Sequence, residues 1–302
     1  MELTAVFDIG GTSVKSAVMN SDGNVIESNL HQTPPQGNNE IFTMLINQTE
    51  EYKQKYPIKG IALSVPGAVD VHTGNVYFAG AVTDLQNKRI KEELKGLNLP
   101  IELENDANCA ALAEKWKGNA IANNHFVVLT VGTGIGGSIF INNELYRGSQ
   151  GMAGEFGLMC LQITEELPLL METATLSRLG STWNLIDRVN IRLHQAYTGE
   201  EIFDLYQKKN QVIIEEMEAF FTALAVGTVN IIHSLAPEKI LFGGGVSSQE
   251  AFISLLKDKI GLIRPEALEL AIIDHCRYFN QSGLLGALYH YQKQRNKRKR
   301  EI

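Results

Sequence analysis

The segment Leu103-Glu104-Asn105-Asp106-Ala107-Asn108-Cys109 sets a carboxylate among amides where one apolar run, Leu99 to Leu103, gives way to an Ala-rich run, Ala107 to Trp116. The first run reads as a strand and the second as a helix, so Asn105 and Asp106 fall on a strand-to-helix corner. A carboxylate there can cap the helix by accepting its first free backbone amides. It can equally act as a general base, because a helix N-terminus favours negative charge and keeps Asp106 ionised beside a substrate hydroxyl. On this segment alone the cap is the simpler assignment, and the rest of the chain has to decide.

Three glycine turns supply a second kind of chemistry. Asp8-Ile9-Gly10-Gly11-Thr12-Ser13-Val14-Lys15 lies between the strand-like runs Thr4 to Phe7 and Ser16 to Met19. Glycines let backbone amides approach a phosphate closely, Thr12 adds a hydroxyl, Lys15 a cation, and Asp8 is placed to hold water around a magnesium ion. An ordinary hairpin with an exposed Asp and Lys would look the same. Gly132-Thr133-Gly134-Ile135-Gly136-Gly137 follows the apolar run His125 to Val131 and matches the dinucleotide pattern, with Glu155 near the spacing of a ribose ligand. The β-branched run Ser138 to Leu145, closing on Asn142-Asn143, stands where that fold demands a helix, so the dinucleotide reading fails. The first two turns share one design: apolar strand, glycine turn with a threonine, second strand. Gly243-Gly244-Gly245 closes the run Pro237 to Phe242 and could admit the flat adenine or ribose end of a nucleotide. No Walker A pattern occurs, which excludes a P-loop NTPase.

Polar ligands come from elsewhere. Pro66-Gly67 ends the buried run Ile58 to Val65 in a turn where backbone groups could face a ligand, and a loop-rich stretch of roughly twenty residues follows. Glu155, in Gly154-Glu155-Phe156-Gly157, either accepts hydrogen bonds from substrate hydroxyls or pairs with Arg147. Glu172 is either a second such ligand or a first-turn helix acid.

The elements that must position these groups are legible in outline. Val25 to Leu30 alternates as a strand after an Asp22-Gly23 turn, and Glu40 to Tyr56 carries helix-spaced apolar residues. Leu176 to Ile232 reads as helical, with Met217, Phe220, Leu224 and Ile231 as a core stripe, and Leu268 to Ile273 as a strand. A last helix begins near Gly283, where Gly283, Gly286 and Ala287 permit tight packing.

Composition narrows the class. With 302 residues, 44% of them hydrophobic and 20% charged, the chain can bury a large core in one large or two modest domains. There is no leader-like N-terminus and no apolar run of ~18 residues, so a cytoplasmic protein without a membrane span is expected. Cys109, Cys160 and Cys276 are too scattered for a disulfide frame or a thiolate zinc site and are expected to be reduced, buried thiols. A net charge of −7 argues against a broad nucleic-acid-binding surface. The basic run from Lys293 to Arg300 is read as a solvated helix end.

Taken together, Asp8 to Thr12 with Lys15, Glu104 to Asn108, Gly132 to Gly137, Gly154 to Gly157 and Gly243 to Gly245 resemble, in order and over nearly the whole chain, the ROK family of sugar kinases and repressors. The resemblance implies an α/β, actin-like/hexokinase-type (ribonuclease H-like) fold of two domains around a central cleft. Residues 1–117, completed by a C-terminal helix at about 287–302, would form the small N-terminal α/β domain, and residues 118–286 the large one. It implies MgATP as phosphoryl donor, held by Gly10, Gly11, Thr12, Lys15, Gly132, Thr133, Gly134, Gly244 and Gly245, with Asp8 holding the metal through water. It makes Asp106 the general base and Asn105, Asp106, Glu155, Glu172 and Gly67 the sugar ligands. A homodimer is the family expectation.

Two departures from the family pattern carry information. Leu158 occupies the place where many members have a histidine that binds zinc and sugar, and the accompanying cysteines are missing, so no zinc site is expected. Asp8 lies so near Met1 that no N-terminal DNA-binding domain is expected, which favours the kinase branch. An apolar Leu158 beside the anomeric end suits a substrate substituted there. The surroundings, Leu129 to Gly132, Gly154 to Gly157 and Gly286 to Tyr291, resemble the members that phosphorylate the 6-hydroxyl of β-glucosides such as cellobiose. N-acetylmannosamine and glucose kinases are the near alternatives, and a sugar-binding regulator without turnover is the alternative of another class.

Overall fold

Strands buried on both faces organise the first part of the chain. The computed structural model describes residues 2–163 and 167–300. β1 (Leu3–Ile9) and β2 (Ser13–Asn20) are almost wholly buried, and β3 (Val25–Gln32) alternates between half-buried and exposed as an edge strand should. β4 (Ile58–Val65) runs parallel to β1, after a helix at Glu40–Lys55 whose Ile41, Leu45 and Tyr52 face the core. The stretch expected to be loop-rich is instead a small antiparallel sheet of β5 (Ala68–Asp70), β6 (Asn75–Phe78) and β7 (Lys88–Arg89). Its Thr73-Gly74 turn, closed on Asp70, is a hairpin signal that the surrounding polar residues mask. β8 (Ile101–Asn105) starts after Pro100, two residues later than the apolar run, because proline cannot donate to the ladder.

The second part repeats the plan. β9 (Phe126–Val131), β10 (Ile135–Ile141) and β11 (Glu144–Tyr146) form an antiparallel meander, and β12 (Lys239–Gly243) and β13 (Ile272–His275) add in parallel. The two five-stranded sheets have the orders β3-β2-β1-β4-β8 and β11-β10-β9-β12-β13, the same topology twice. The run Leu268 to Ile273 is not one strand. Ala267–Leu270 is a helical turn, and pairing of Lys239 with Ile272 through Phe242 with His275 fixes the strand four residues later. The long helical pattern after Leu176 is cut into helices at 176–180, 182–193, 199–207 and 211–235, whose N-caps Thr175, Ser181, Thr198 and Asn210 each accept a backbone amide three residues on. Met217, Phe220, Leu224 and Ile231 are core residues.

The last helix, Ser282–Arg300, packs on the Asp106–Lys117 helix so closely that a Cβ at Gly286 would meet the Cys109 carbonyl, and its Gly283 lies against the Asp8 carboxylate. The final two residues of the expected helix, 301–302, lie outside the described residues. Its basic end is partly tied back: Arg298 reaches the buried Glu102 at 2.6 Å, and Arg295 pairs with Glu2. All three cysteines are free, but Cys160 is exposed, which corrects the expectation that all are buried. No described helix is long and apolar enough to cross a membrane.

The chain divides into two compact units: residues 1–117, 147–153 and 281–302 form the first, and residues 118–146 and 154–280 the second. Each has its own apolar core. The first is built around Phe7, Ile41, Leu45 and Leu63, the second around Phe220, Phe242, Phe252 and Leu224.

Candidate active site

The corner at the end of β8 settles which side chain caps the helix. Asn105, not Asp106, is the helix N-cap: its Oδ1 accepts the Asn108 amide, three residues on, at 3.0 Å. Asp106 is the first helical residue and is exposed, with Oδ1 accepting the Asn105 side-chain amide at 2.9 Å and the Ala107 amide at 2.8 Å. Asn105 also donates to the Gly67 carbonyl at 2.9 Å, so Asn105, Asp106 and Gly67 are brought together in the first unit. Gly67 has φ +93°, where a Cβ would strike the Phe78 carbonyl, so only glycine closes this turn.

Behind the corner lies a buried charge cluster. Glu104 is 1% exposed and accepts its neighbour's amide, Asn105 N–H, at 2.9 Å and the Asn108 side chain at 3.0 Å. Arg147 donates to it from Nε at 2.8 Å and from a terminal nitrogen at 2.5 Å. Desolvation pushes the Glu104 carboxyl up, but the charge of Arg147, with that of His290 and the hydrogen bonds of Arg147 and Asn108, outweighs it and holds the group below the usual carboxylate range. His290, from the last helix, has Nδ1 3.5 Å from Glu104, and desolvation lowers its pKa to about 4 against the pull of that carboxylate. Arg147 therefore binds Glu104, whereas one reading of the sequence paired it with Glu155.

The first glycine turn belongs to the same unit. Asp8 Oδ1 accepts the Ser64 hydroxyl at 2.7 Å and Oδ2 faces Lys15 at 3.5 Å, the two residues being register partners on β1 and β2. Thr33 ties the turn down by donating its hydroxyl to the Gly10 carbonyl at 2.6 Å and its amide to the Thr12 carbonyl at 3.0 Å. Gly11 and Thr12 are exposed. A magnesium ion, as MgATP chemistry implies, takes one or two carboxylates, keeps several waters and uses phosphate oxygens for the rest. Asp8, a fixed and part-exposed oxygen donor, fits that demand.

In the second unit Thr133 and Gly134 are exposed at the β9–β10 turn, where Gly132 donates to the Gly134 carbonyl at 2.9 Å and Ile135 to the Ser177 hydroxyl at 2.9 Å. A Cβ at Gly132 would meet nothing within 4 Å, and the same holds at Gly245. Gly244, by contrast, has φ +98° and lies against the Val131 carbonyl, which joins the third glycine turn to the second. Glu155 opens a short 3-10 turn, Phe156–Leu158, whose Gly154 and Gly157 sit on the backbone of β10. It is exposed as a residue, yet the protein around its carboxyl desolvates it and raises its pKa. Glu172 is exposed in the one-turn helix Leu170–Thr173. Leu158 is 50% exposed, and Cys160 has its sulfur 3.9 Å from that of Met171. Among the described residues no group of three His, Cys, Asp or Glu side chains is arranged to hold a metal ion.

The sequence profile of the ROK family matches residues 4–294. The chain belongs to the ROK family. It is 36% identical over 299 residues to the β-glucoside kinase of Listeria monocytogenes, covering 97% of this chain and 98% of that one. A solved L. monocytogenes structure, proposed to be an N-acetylmannosamine kinase, matches with TM-score 0.89 at 35% identity over 97% of this chain and all of the other. A ROK protein of Streptococcus pneumoniae, solved with sucrose, matches with TM-score 0.86 at 30% identity over 98% and 99%. The fold is therefore the actin-like, hexokinase-type one, and the repeated five-stranded sheet is its hallmark here.

The sequence of this ROK chain singled out neither Ser64 nor His290, offered Arg147 only as a partner for Glu155, and showed Glu104 only as part of a motif. One signal for Glu104 was available: it interrupts an apolar, buried strand two residues before the candidate base, and a buried carboxylate requires a partner. Nothing local in the sequence identifies Arg147 or His290 as that partner, because the pairing distances are 43 and 186 residues along the chain.

Proposed function

We propose that this sugar kinase transfers the γ-phosphoryl group of MgATP to the 6-hydroxyl of a β-glucoside, a disaccharide such as cellobiose being the fitting substrate. The observation that carries the assignment is the division of labour at the corner. Asn105 satisfies the helix end, so the Asp106 carboxylate is held by hydrogen bonds yet exposed. Asp106 accepts the proton of the 6-hydroxyl as that oxygen forms its bond to the γ-phosphorus and the bond to the β-phosphate bridging oxygen breaks, releasing ADP. Asn105, the Gly67 backbone, Glu155 and Glu172 hold sugar hydroxyls. Gly10, Gly11, Thr12 and Lys15 of the first unit and Gly132, Thr133 and Gly134 of the second hold phosphate oxygens, and Gly244 and Gly245 take the adenosine end. Asp8 would hold magnesium through water, and the ion would supply charge neutralisation on the phosphates. Use of MgATP supports a cytoplasmic reaction.

Three things support the β-glucoside. The curated relative at 36% identity is a β-glucoside kinase, a disaccharide occupies the sucrose-bound neighbour, and Leu158 is an apolar residue where other members place a polar sugar ligand. The similarity to a structure proposed to be an N-acetylmannosamine kinase keeps that sugar as the competitor. A coupled ADP-release assay with MgATP over cellobiose, methyl β-glucoside, glucose, fructose and N-acetylmannosamine decides. Preference for the glucosides is expected. Preference for N-acetylmannosamine or glucose replaces the substrate, and sugar binding with no ADP release from any of them replaces the kinase by a regulator.

A further inference from the structure

The first unit contains a cavity of about 740 Å³ that the reaction described above does not use. Its size lies in the range of small-molecule sites. Val69, Asp70 and Tyr77 of the β5–β6 hairpin line one side, and Arg147, Ser149 and Met152 of the following segment line the other. Both walls are anchored on the corner that holds Asn105. The hairpin starts one residue after Gly67, whose carbonyl binds the Asn105 side chain, and Val69 is two residues from Gly67, a span of at most about 7 Å. The other wall is held through Arg147 on Glu104, the residue before Asn105, and through Gly151 against the Val69 carbonyl.

We propose that this cavity is the subsite for the part of the substrate that is not phosphorylated: the second, uncharged sugar ring or aryl group of a glucoside. The proposal rests on the glucoside reading above and adds where the aglycone goes. Chemistry of the walls selects the occupant. Tyr77 is 50% exposed and Met152 45%, so an aromatic face and a thioether are available to the apolar face of a ring, with Ser149 beside them for hydroxyls. The two charged side chains named in the lining are already engaged. Arg147 is spent on Glu104, and Asp70 accepts the His72 amide at 2.9 Å and the Thr73 hydroxyl at 2.7 Å. An anionic aglycone, such as one already phosphorylated, would find no unspent positive charge on either of them and would face the Asp70 carboxylate.

The test compares two ligands that differ by one ring, cellobiose and methyl β-glucoside. Calorimetric affinities are measured for the intact protein, Ser149→Trp, which fills the cavity, and Tyr77→Ala, which removes its aromatic face. Both positions are exposed, so the variants keep the fold. Cellobiose affinity is expected to fall about tenfold in Ser149→Trp and about threefold to tenfold in Tyr77→Ala, with methyl β-glucoside unchanged within about twofold. Equal changes for the two ligands, or none for cellobiose, overturn the subsite. ADP release on the same preparations separates the two claims. Cavity-dependent binding of cellobiose without its phosphorylation defeats the proposed reaction alone, and phosphorylation indifferent to both variants defeats the subsite alone.

Discussion

The two units carry the same five-stranded sheet and put opposite kinds of residue at matching places. On the first, the strand pair before the glycine turn carries Asp8 opposite Lys15, one step in from Ile9 opposite Val14. On the second, the step in from Val131 opposite Ile135 is Thr130 opposite Gly136. The contrast continues inward. Among the described residues, the buried carboxylates Asp84, Glu102, Glu104 and Glu114 and the buried His290 belong to the first unit, and Glu216 to the second. Where β8 ends in Asn105 and an Asp-led helix, β13 ends in His275 and Cys276 with no such helix directly after it. One topology carries buried charge in one copy and exposed glycine turns in the other.

The largest effect should come from breaking the charged unit at its exposed tip. Asp106→Asn keeps the side-chain size and removes the proposed base, so kcat is expected to fall by about 10²–10⁴. Sugar affinity measured by calorimetry should change by no more than a few fold. Turnover near that of the unaltered enzyme would move the chemistry away from this corner.

Next comes the support behind it. Arg147→Met leaves the buried Glu104 without its guanidinium partner, whose two nitrogens both donate to one carboxylate oxygen, and breaking a buried pair from one side costs about 3 kcal/mol. Denaturant unfolding reads this, and adding Glu104→Gln to the same chain should return part of the loss, since the uncompensated charge is then gone. Among the described residues no comparable pair underlies the glycine turns of the second unit, so Thr133→Ala should leave stability unchanged.

His290 sharpens the same contrast through pH. Its folded-state pKa of about 4 lies below the ordinary 6.5, so between those values the unfolded chain binds the proton and the folded chain does not. Stability therefore falls as pH drops from 6.5 towards 4, by about 3 kcal/mol in all if this group acts alone. His290→Gln should flatten that part of the curve, measured as unfolding free energy against pH. An unaltered slope would assign the acid sensitivity to other groups.

How much of this could be read in the sequence follows from what each feature depends on. The strand-turn-strand repeats and the β8 corner rest on local patterns, apolar runs ended by glycine or by Asn-Asp, and these positions are legible. The hairpin of β5 and β6 was hidden because its short strands are bounded by polar turn residues that look like loop. Which side chain caps the Asp106 helix depends on a rotamer choice between two adjacent capping residues, and composition cannot make it. The Glu104–Arg147–His290 cluster depends on long-range packing. Only the need for a partner, and not its identity, is written locally.

The smallest effect separates glycines that the fold needs from glycines that a ligand needs. Gly67 and Gly244 sit at the ends of β4 and β12, both with φ near +95° and both pressed against a carbonyl, so alanine there adds a methyl clash with that carbonyl to a backbone strain of about 1–2 kcal/mol, whatever binds. Gly132 has neither constraint, since a Cβ would meet no protein atom within 4 Å. Gly132→Ala should therefore leave the unfolding midpoint unchanged or raise stability by up to about 0.5 kcal/mol through the unfolded chain. If the turn receives phosphate oxygens at backbone range, the added methyl stands where they must come, and KM for ATP should rise about fivefold, roughly 1 kcal/mol, while sugar affinity is untouched. An unchanged KM for ATP with unchanged stability would show that neither fold nor nucleotide requires glycine at this position, and the second unit's claim to the phosphates would pass to Thr133 and Gly134.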